Sequence, residues 1–256
     1  MLELALAFAG GLAVGATLGL LGGGGTILTV PLLLALGVAP KPAIALALGV
    51  VAATAAIAAA RHARAGQVDW RAVAHFGPAT ALGGFAGGRG AGFVDEEVLL
   101  LIFTGLMTAV GLAMLRAGGP RLGVARPAAR QSAALALQGA AIGALTGLVG
   151  AGGGFLFVPA LTLLGGLPMR RAVGTSLVMI SANAGSALLG HLTHVRPDLG
   201  LAGAVTGGAG VGAWLGAAFA GRVREAALRR GFGLFVLAVA AWMLARSPLV
   251  RAWLTP

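Results

Sequence analysis

Between Glu3 and Lys41 the chain carries no Asp, Glu, Lys or Arg, and spacing of this kind recurs along its length. Further runs free of these residues cover 42–60, 72–88, 98–115, 131–169, 172–195, 199–221 and 231–245. A helix needs about 20 residues, at 1.5 Å rise each, to cross a hydrocarbon layer of about 30 Å. Six of the runs have roughly that length. Runs 4–40 and 131–169 are nearly twice as long, and a straight helix over either would overshoot the layer by about 25 Å. Each must fold back or break.

Composition agrees with a bilayer as solvent. Only 10% of the 256 residues are charged and 58% are AVILMFWYC, whereas a soluble domain carries about 25% charge. The net charge of +11 raises the question of nucleic acid. The basic residues, however, fall between apolar runs rather than along one face, as in loops held at an anionic membrane surface. The bilayer is therefore an expected partner and nucleic acid is not. Met1-Leu2-Glu3 lacks the basic start of a signal peptide, so the first apolar segment reads as a retained span. With no Cys, disulfides and thiolate metal sites are ruled out.

Glycine marks the breaks. Gly22-Gly23-Gly24-Gly25 interrupts the first long run and Gly150-Ala151-Gly152-Gly153-Gly154 the second. Each such glycine costs a helix about 1 kcal/mol relative to Ala. A short apolar segment with a proline follows each break, at Pro31 and Pro159. Such half-length helices are tolerated at membrane depth where they line a cavity or are buried in protein. The expected fold is an all-α integral membrane protein of about eight transmembrane helices in two repeated halves. Each half holds one Gly-interrupted re-entrant or broken half-helix.

The repeat is visible residue by residue. Residues 19–31 lie over 147–159 without a gap, and a one-residue shift then pairs His62 with His191, Glu96 with Glu225 and Phe103 with Phe232. This divides the chain into a first transmembrane repeat (1–115), a polar linker (116–130) and a second repeat (131–256). Duplicated halves with paired broken segments indicate a secondary transporter with its site where the repeats meet. Re-entrant short segments make the halves parallel; fully crossing ones make them inverted, and the sequence leaves both open. On the eight-span count, loops 61–71, 116–130 and 191–198 share a side with the C-terminal end and hold most of the arginine. The positive-inside rule then puts both termini in the cytoplasm of a bacterial-type inner membrane.

No charged residue stands securely in mid-span, so neither a buried carboxylate relay nor a basic anion ligand is expected there. A helix that opens at a glycine run offers instead unpaired N–H groups and the positive end of its dipole, which bind oxyanions without a charged side chain. Candidate substrate contacts are therefore Gly22, Gly23, Gly24, Gly25 and Thr26, with Gly150, Gly152, Gly153 and Gly154 aimed at the same anion from the other half. Close helix packing is the competing role for glycine, and it is the one expected of Gly83, Gly87, Gly207, Gly208, Gly210, Gly212 and Gly216. In the sixth span Thr175, Ser176 and Asn183 offer hydrogen bonds to a substrate, or, for Asn183, to neighbouring helices. His62 and His191 are candidates for proton coupling, against the plainer reading of polar span ends. No catalytic triad, metal-ligand spacing or nucleotide loop occurs, so no enzyme activity, cofactor or metal is expected. The abundant small residues suit contacts within one chain or within a homo-oligomer.

The two glycine motifs, with Ala172-Val173-Gly174-Thr175-Ser176-Leu177, resemble the signatures of the TauE/SafE sulfite exporter family. The resemblance runs from about Leu4 to Arg246; in the first half Ala45-Leu46-Ala47-Leu48 replaces the Gly-Thr-Ser-Leu pattern. It implies a permease for sulfite, organosulfonates or other small anions. A channel with Gly-rich selectivity segments is the alternative that the residues alone allow.

Overall fold

The computed structural model describes residues 2–116, 129–149, 154–164, 166–193, 199–220 and 222–246. All regular structure among them is helical: α1 (Leu2–Leu21), α2 (Gly24–Ala35), α3 (Pro40–Arg64), α4 (Trp70–Gly90), α5 (Glu96–Arg116), α6 (Ala129–Val149), α7 (Gly154–Pro159), α8 (Met169–His191), α9 (Leu199–Ala220) and α10 (Glu225–Arg246). A 3₁₀ turn, Ala91–Phe93, follows α4, and a π-helical turn, Ala160–Leu164, continues α7 past Pro159. Among the described residues six helices, α1, α3, α5, α8, α9 and α10, are long and apolar enough to cross a membrane. α4 and α6 have 21 residues each, with more glycine and polar residues mixed in. The chain is a multi-pass membrane protein.

Burial runs by size as well as by polarity. Ala43, Ala45, Ala47, Ala55 and Ala58 of α3 are fully buried, whereas Leu82, Leu137, Leu189 and Leu234 face outward. Large apolar groups belong outside when the surroundings are lipid, because burial against protein then gains little for them. Small residues go to the helix contacts, where backbones come together. A Cβ on Gly11, Gly15 or Gly19 of α1 would overlap the carbonyls of Val205, Ala209 or Ala213 in α9. From the other side Gly208, Gly212 and Gly216 meet the carbonyls of Phe8, Leu12 and Ala16. α4 and α6 are joined in the same way, Gly83 and Gly87 against Ala140 and Ala144, and Gly143 and Gly147 against Thr80 and Gly84. The packing role expected of Gly83, Gly87, Gly208, Gly212 and Gly216 is thus observed. Gly207 and Gly210 meet only the side chains of Phe8 and Ile57.

These contacts also give directions. Rising numbers on α1 meet rising numbers on α9, so that pair is parallel, and so are α4 and α6. α2 turns back along α1, Gly25 lying on Leu18 and Leu32 on Gly10. α3 and α8 are antiparallel: Gly49 meets Leu188, Ser181 Oγ donates to the Ala52 carbonyl (2.9 Å), and Gly174 packs on His62. Since α2 returns the chain to the end where α1 began, α1 and α3 run the same way. The expectation that loops 61–71, 116–130, 191–198 and the C-terminal end share a side therefore fails. The α3–α4 turn, the end of α5 and the start of α6 lie at one face; the ends of α6, α8 and α10 lie at the other.

Candidate functional site

The first glycine break is a buried one. Gly22 takes φ +74°, a left-handed conformation that glycine adopts without cost. It turns the chain from α1 into α2 against α8 and α7, its Cα side lying 3.1 Å from Ser176 Oγ and Val158 Cγ2 for a Cβ built there. Gly22, Gly23, Gly25 and Thr26 are all buried. α2 starts with no side-chain cap, and Thr26 Oγ1 donates back to the Gly23 carbonyl (2.8 Å). A buried, uncapped helix start concentrates unpaired N–H groups and positive potential in one place. Its 12 residues, with Pro31 inside, make it about 18 Å long.

Around this turn stand the histidine and the polar start of α8. His62, in the last turn of α3, is 2% exposed. Its Nε2 donates to the Gly19 carbonyl (3.2 Å), and its Nδ1 lies 2.6 Å from Gln67 Oε1. Gly66, at φ +67°, closes α3 and sends Gln67 N–H back to the His62 carbonyl (3.0 Å), which puts the two side chains together. Thr175 Oγ1 accepts from Asp69 N–H (2.9 Å), while the Asp69 carboxylate caps α4 through Arg71 and Ala72 N–H. Ser176 Oγ donates within its helix to the Val173 carbonyl (2.8 Å).

Asn183 and His191 belong to a different place. Asn183 is buried, its Nδ2 donating to Thr146 Oγ1 of α6 (3.0 Å), and Gly84 of α4 leaves the space that its Oδ1 occupies. It ties three helices together. His191, 4% exposed, faces the Gly147 carbonyl through Nε2 (2.9 Å), the counterpart of the His62 contact with Gly19. Ser176 and His191 are 15 residues apart on α8 (176 to 191), about 22 Å of helix. The two histidines are thus at opposite ends of the α3–α8 pair. Gly150, Gly152 and Gly153 lie outside the described residues. Gly154 opens α7, which the π-helical turn carries on to Leu164.

Sequence reasoning missed Gln67 and the Gly19 carbonyl; the signal available was a glycine followed by a glutamine just past a helix end. It also missed Thr146 as the partner of Asn183. An apolar cleft of about 440 Å³ between α1, α2 and α10, lined by Leu28, Pro31, Phe235, Val239 and Trp242 among others, suits hydrocarbon rather than an anion. Among the described residues no group of His, Asp or Glu is arranged to hold a metal.

The amino-acid sequence matches the family described as sulfite exporter TauE/SafE over residues 7–243. It is 39% identical over 251 residues to a probable membrane transporter protein of Xylella fastidiosa strain 9a5c, covering 93% of each chain. A probable membrane transporter protein of strain Temecula1 is 39% identical over 256 residues, again with 93% of each chain covered. No solved structure matches. A family match across nearly the whole chain, with two relatives aligned almost end to end, identifies this membrane protein as a member of the TauE/SafE sulfite exporter family.

Proposed function

We propose that the chain is a secondary transporter that carries a small oxyanion, such as sulfite or an organosulfonate, across the cytoplasmic membrane by alternating access. The observation that carries this reading is the buried, uncapped start of α2 at Gly22–Gly25, beside Ser176 and His62. Backbone N–H groups there suit an oxyanion, and the glycines let it approach closely. The coupling proton in this reading is carried by His62, which stands beside the turn with its ring nitrogens facing the Gly19 carbonyl and Gln67 Oε1. The two halves act as inverted repeats. Supporting this are the antiparallel α3 and α8 and the matching contacts of His62 with Gly19 and His191 with Gly147. The moving bodies are not the sequence halves, since α1 is locked to α9 and α4 to α6. They are two exchanged bundles that tilt about the α3–α8 pair.

The test is flux of labelled sulfite, sulfate and a short organosulfonate into proteoliposomes, with and without a pH gradient. Saturable uptake of one of these anions is expected. It should be lost in Gly24→Leu, with insertion and folding retained, and its response to the gradient should be lost in His62→Gln. Absence of flux for every anion in well-folded protein would sink the substrate class, and full activity of Gly24→Leu would sink the site.

A further inference from the structure

The helix directions sort the charged residues between two faces. Where α3 hands over to α4 stand Arg61, Arg64 and Arg71 with Asp69. α5 ends on Arg116 and α6 begins with Arg130 in its first turn at the same face. α8 opens there with Arg170 and Arg171, and the α9–α10 turn adds Arg222, Arg224, Arg229 and Arg230 with Glu225. Arg170 Nη2 donates to the Val223 carbonyl (3.2 Å), which joins the last two segments. The opposite face has Lys41, Arg89 and Arg246 against Glu3, Asp95, Glu96 and Glu97. One face is thus strongly basic and the other slightly acidic among the described residues.

Aromatic side chains mark the same boundary. Arg61 stacks over Trp214 at 4.5 Å and Arg222 over Phe219 at 5.4 Å, both rings more than half exposed at the basic end of α9. Trp rings such as that of Trp214 settle at the headgroup level. Each Lys or Arg near an anionic leaflet is attracted to it, so the imbalance fixes orientation.

We infer that the arginine-rich face sits on the anionic headgroups of the cytoplasmic leaflet, and that both chain termini emerge on the other side of the membrane. The same positive-inside rule, applied to eight crossings, places the termini in the cytoplasm; the return of α2 along α1 reverses that result for the first end, and the antiparallel course of α8 against α3 reverses it for the end of α10. The inference is independent of the substrate and of transport.

The chain has no Cys, so single cysteines report sidedness directly. Ala39→Cys in the α2–α3 turn and Phe93→Cys after α4 should react with a membrane-impermeant maleimide in intact bacterial cells. Ala65→Cys in the α3–α4 turn should react only after lysis. Protection of Ala39→Cys until lysis, or labelling of Ala65→Cys in intact cells, would overturn the orientation. Should a cysteine variant fail to insert, a reporter fused to the C-terminus of the unaltered chain decides. Active alkaline phosphatase is expected, and a fluorescent green fluorescent protein would overturn the inference. The lipid partner is read in phosphatidylcholine nanodiscs with and without phosphatidylglycerol. The thermal midpoint should rise with phosphatidylglycerol, and an equal midpoint in both would remove the headgroups from the account.

Discussion

Gly22 joins two requirements that only glycine meets together. Its φ of +74° costs any L side chain about 1 kcal/mol or more, and a Cβ would press on Ser176, Val158 and Val173. Gly22→Ala should therefore lower the thermal midpoint by a few degrees and reduce anion flux at least tenfold, since the turn must open to fit the methyl group. Equal flux in the variant and the parent would detach this turn from transport. Asn183 is the contrasting case. Its amide is committed to Thr146 and seated on Gly84, so Asn183→Ala should cost about 1 kcal/mol of stability with KM for the anion unchanged. A raised KM in a stable Asn183→Ala protein would return it to the list of substrate contacts. The pairing of His62 with His191 is legible in the sequence as a repeat. Their burial is not, because it depends on the carbonyls of Gly19 and Gly147, which look like any other backbone groups on paper.

At the scale of the helix, charge spacing locates the spans well, since charged side chains are excluded from hydrocarbon and must fall near span ends. The short α2 and α7 are marked by glycine runs for the same kind of reason. Their direction is not legible, because it is set by which distant helix receives each glycine stripe, and the partners of α1 are nearly two hundred positions away in α9. Those stripes carry their own prediction. Gly15 lies against the Ala209 carbonyl with no room for a Cβ, so Gly15→Leu must push α1 away from α9 and should cost at least 2–3 kcal/mol. Size-exclusion chromatography in detergent would show a loss of the monodisperse peak. Gly105, with open space around its Cα, is the matched control, and Gly105→Leu should elute like the parent.

Taken whole, the molecule exchanges helices between its halves: α1 and α4 come from the first half, yet each lies on a helix of the second. Two fragments cut within the linker, 1–122 and 123–256, should therefore be degraded when expressed singly and accumulate when expressed together. Affinity capture through one fragment would measure this, and stable accumulation of either alone would contradict the exchange. The same arrangement sets an order of events during synthesis. Val205, which receives Gly11, is made 194 residues after it. At 5–20 residues per second that is a delay of about 10–40 s. Throughout it the glycine stripe of α1 stands in the bilayer without its match, although α2 already covers the side of α1 that holds Gly10 and Leu18, so the ribosome finishes most of the chain before that stripe is closed.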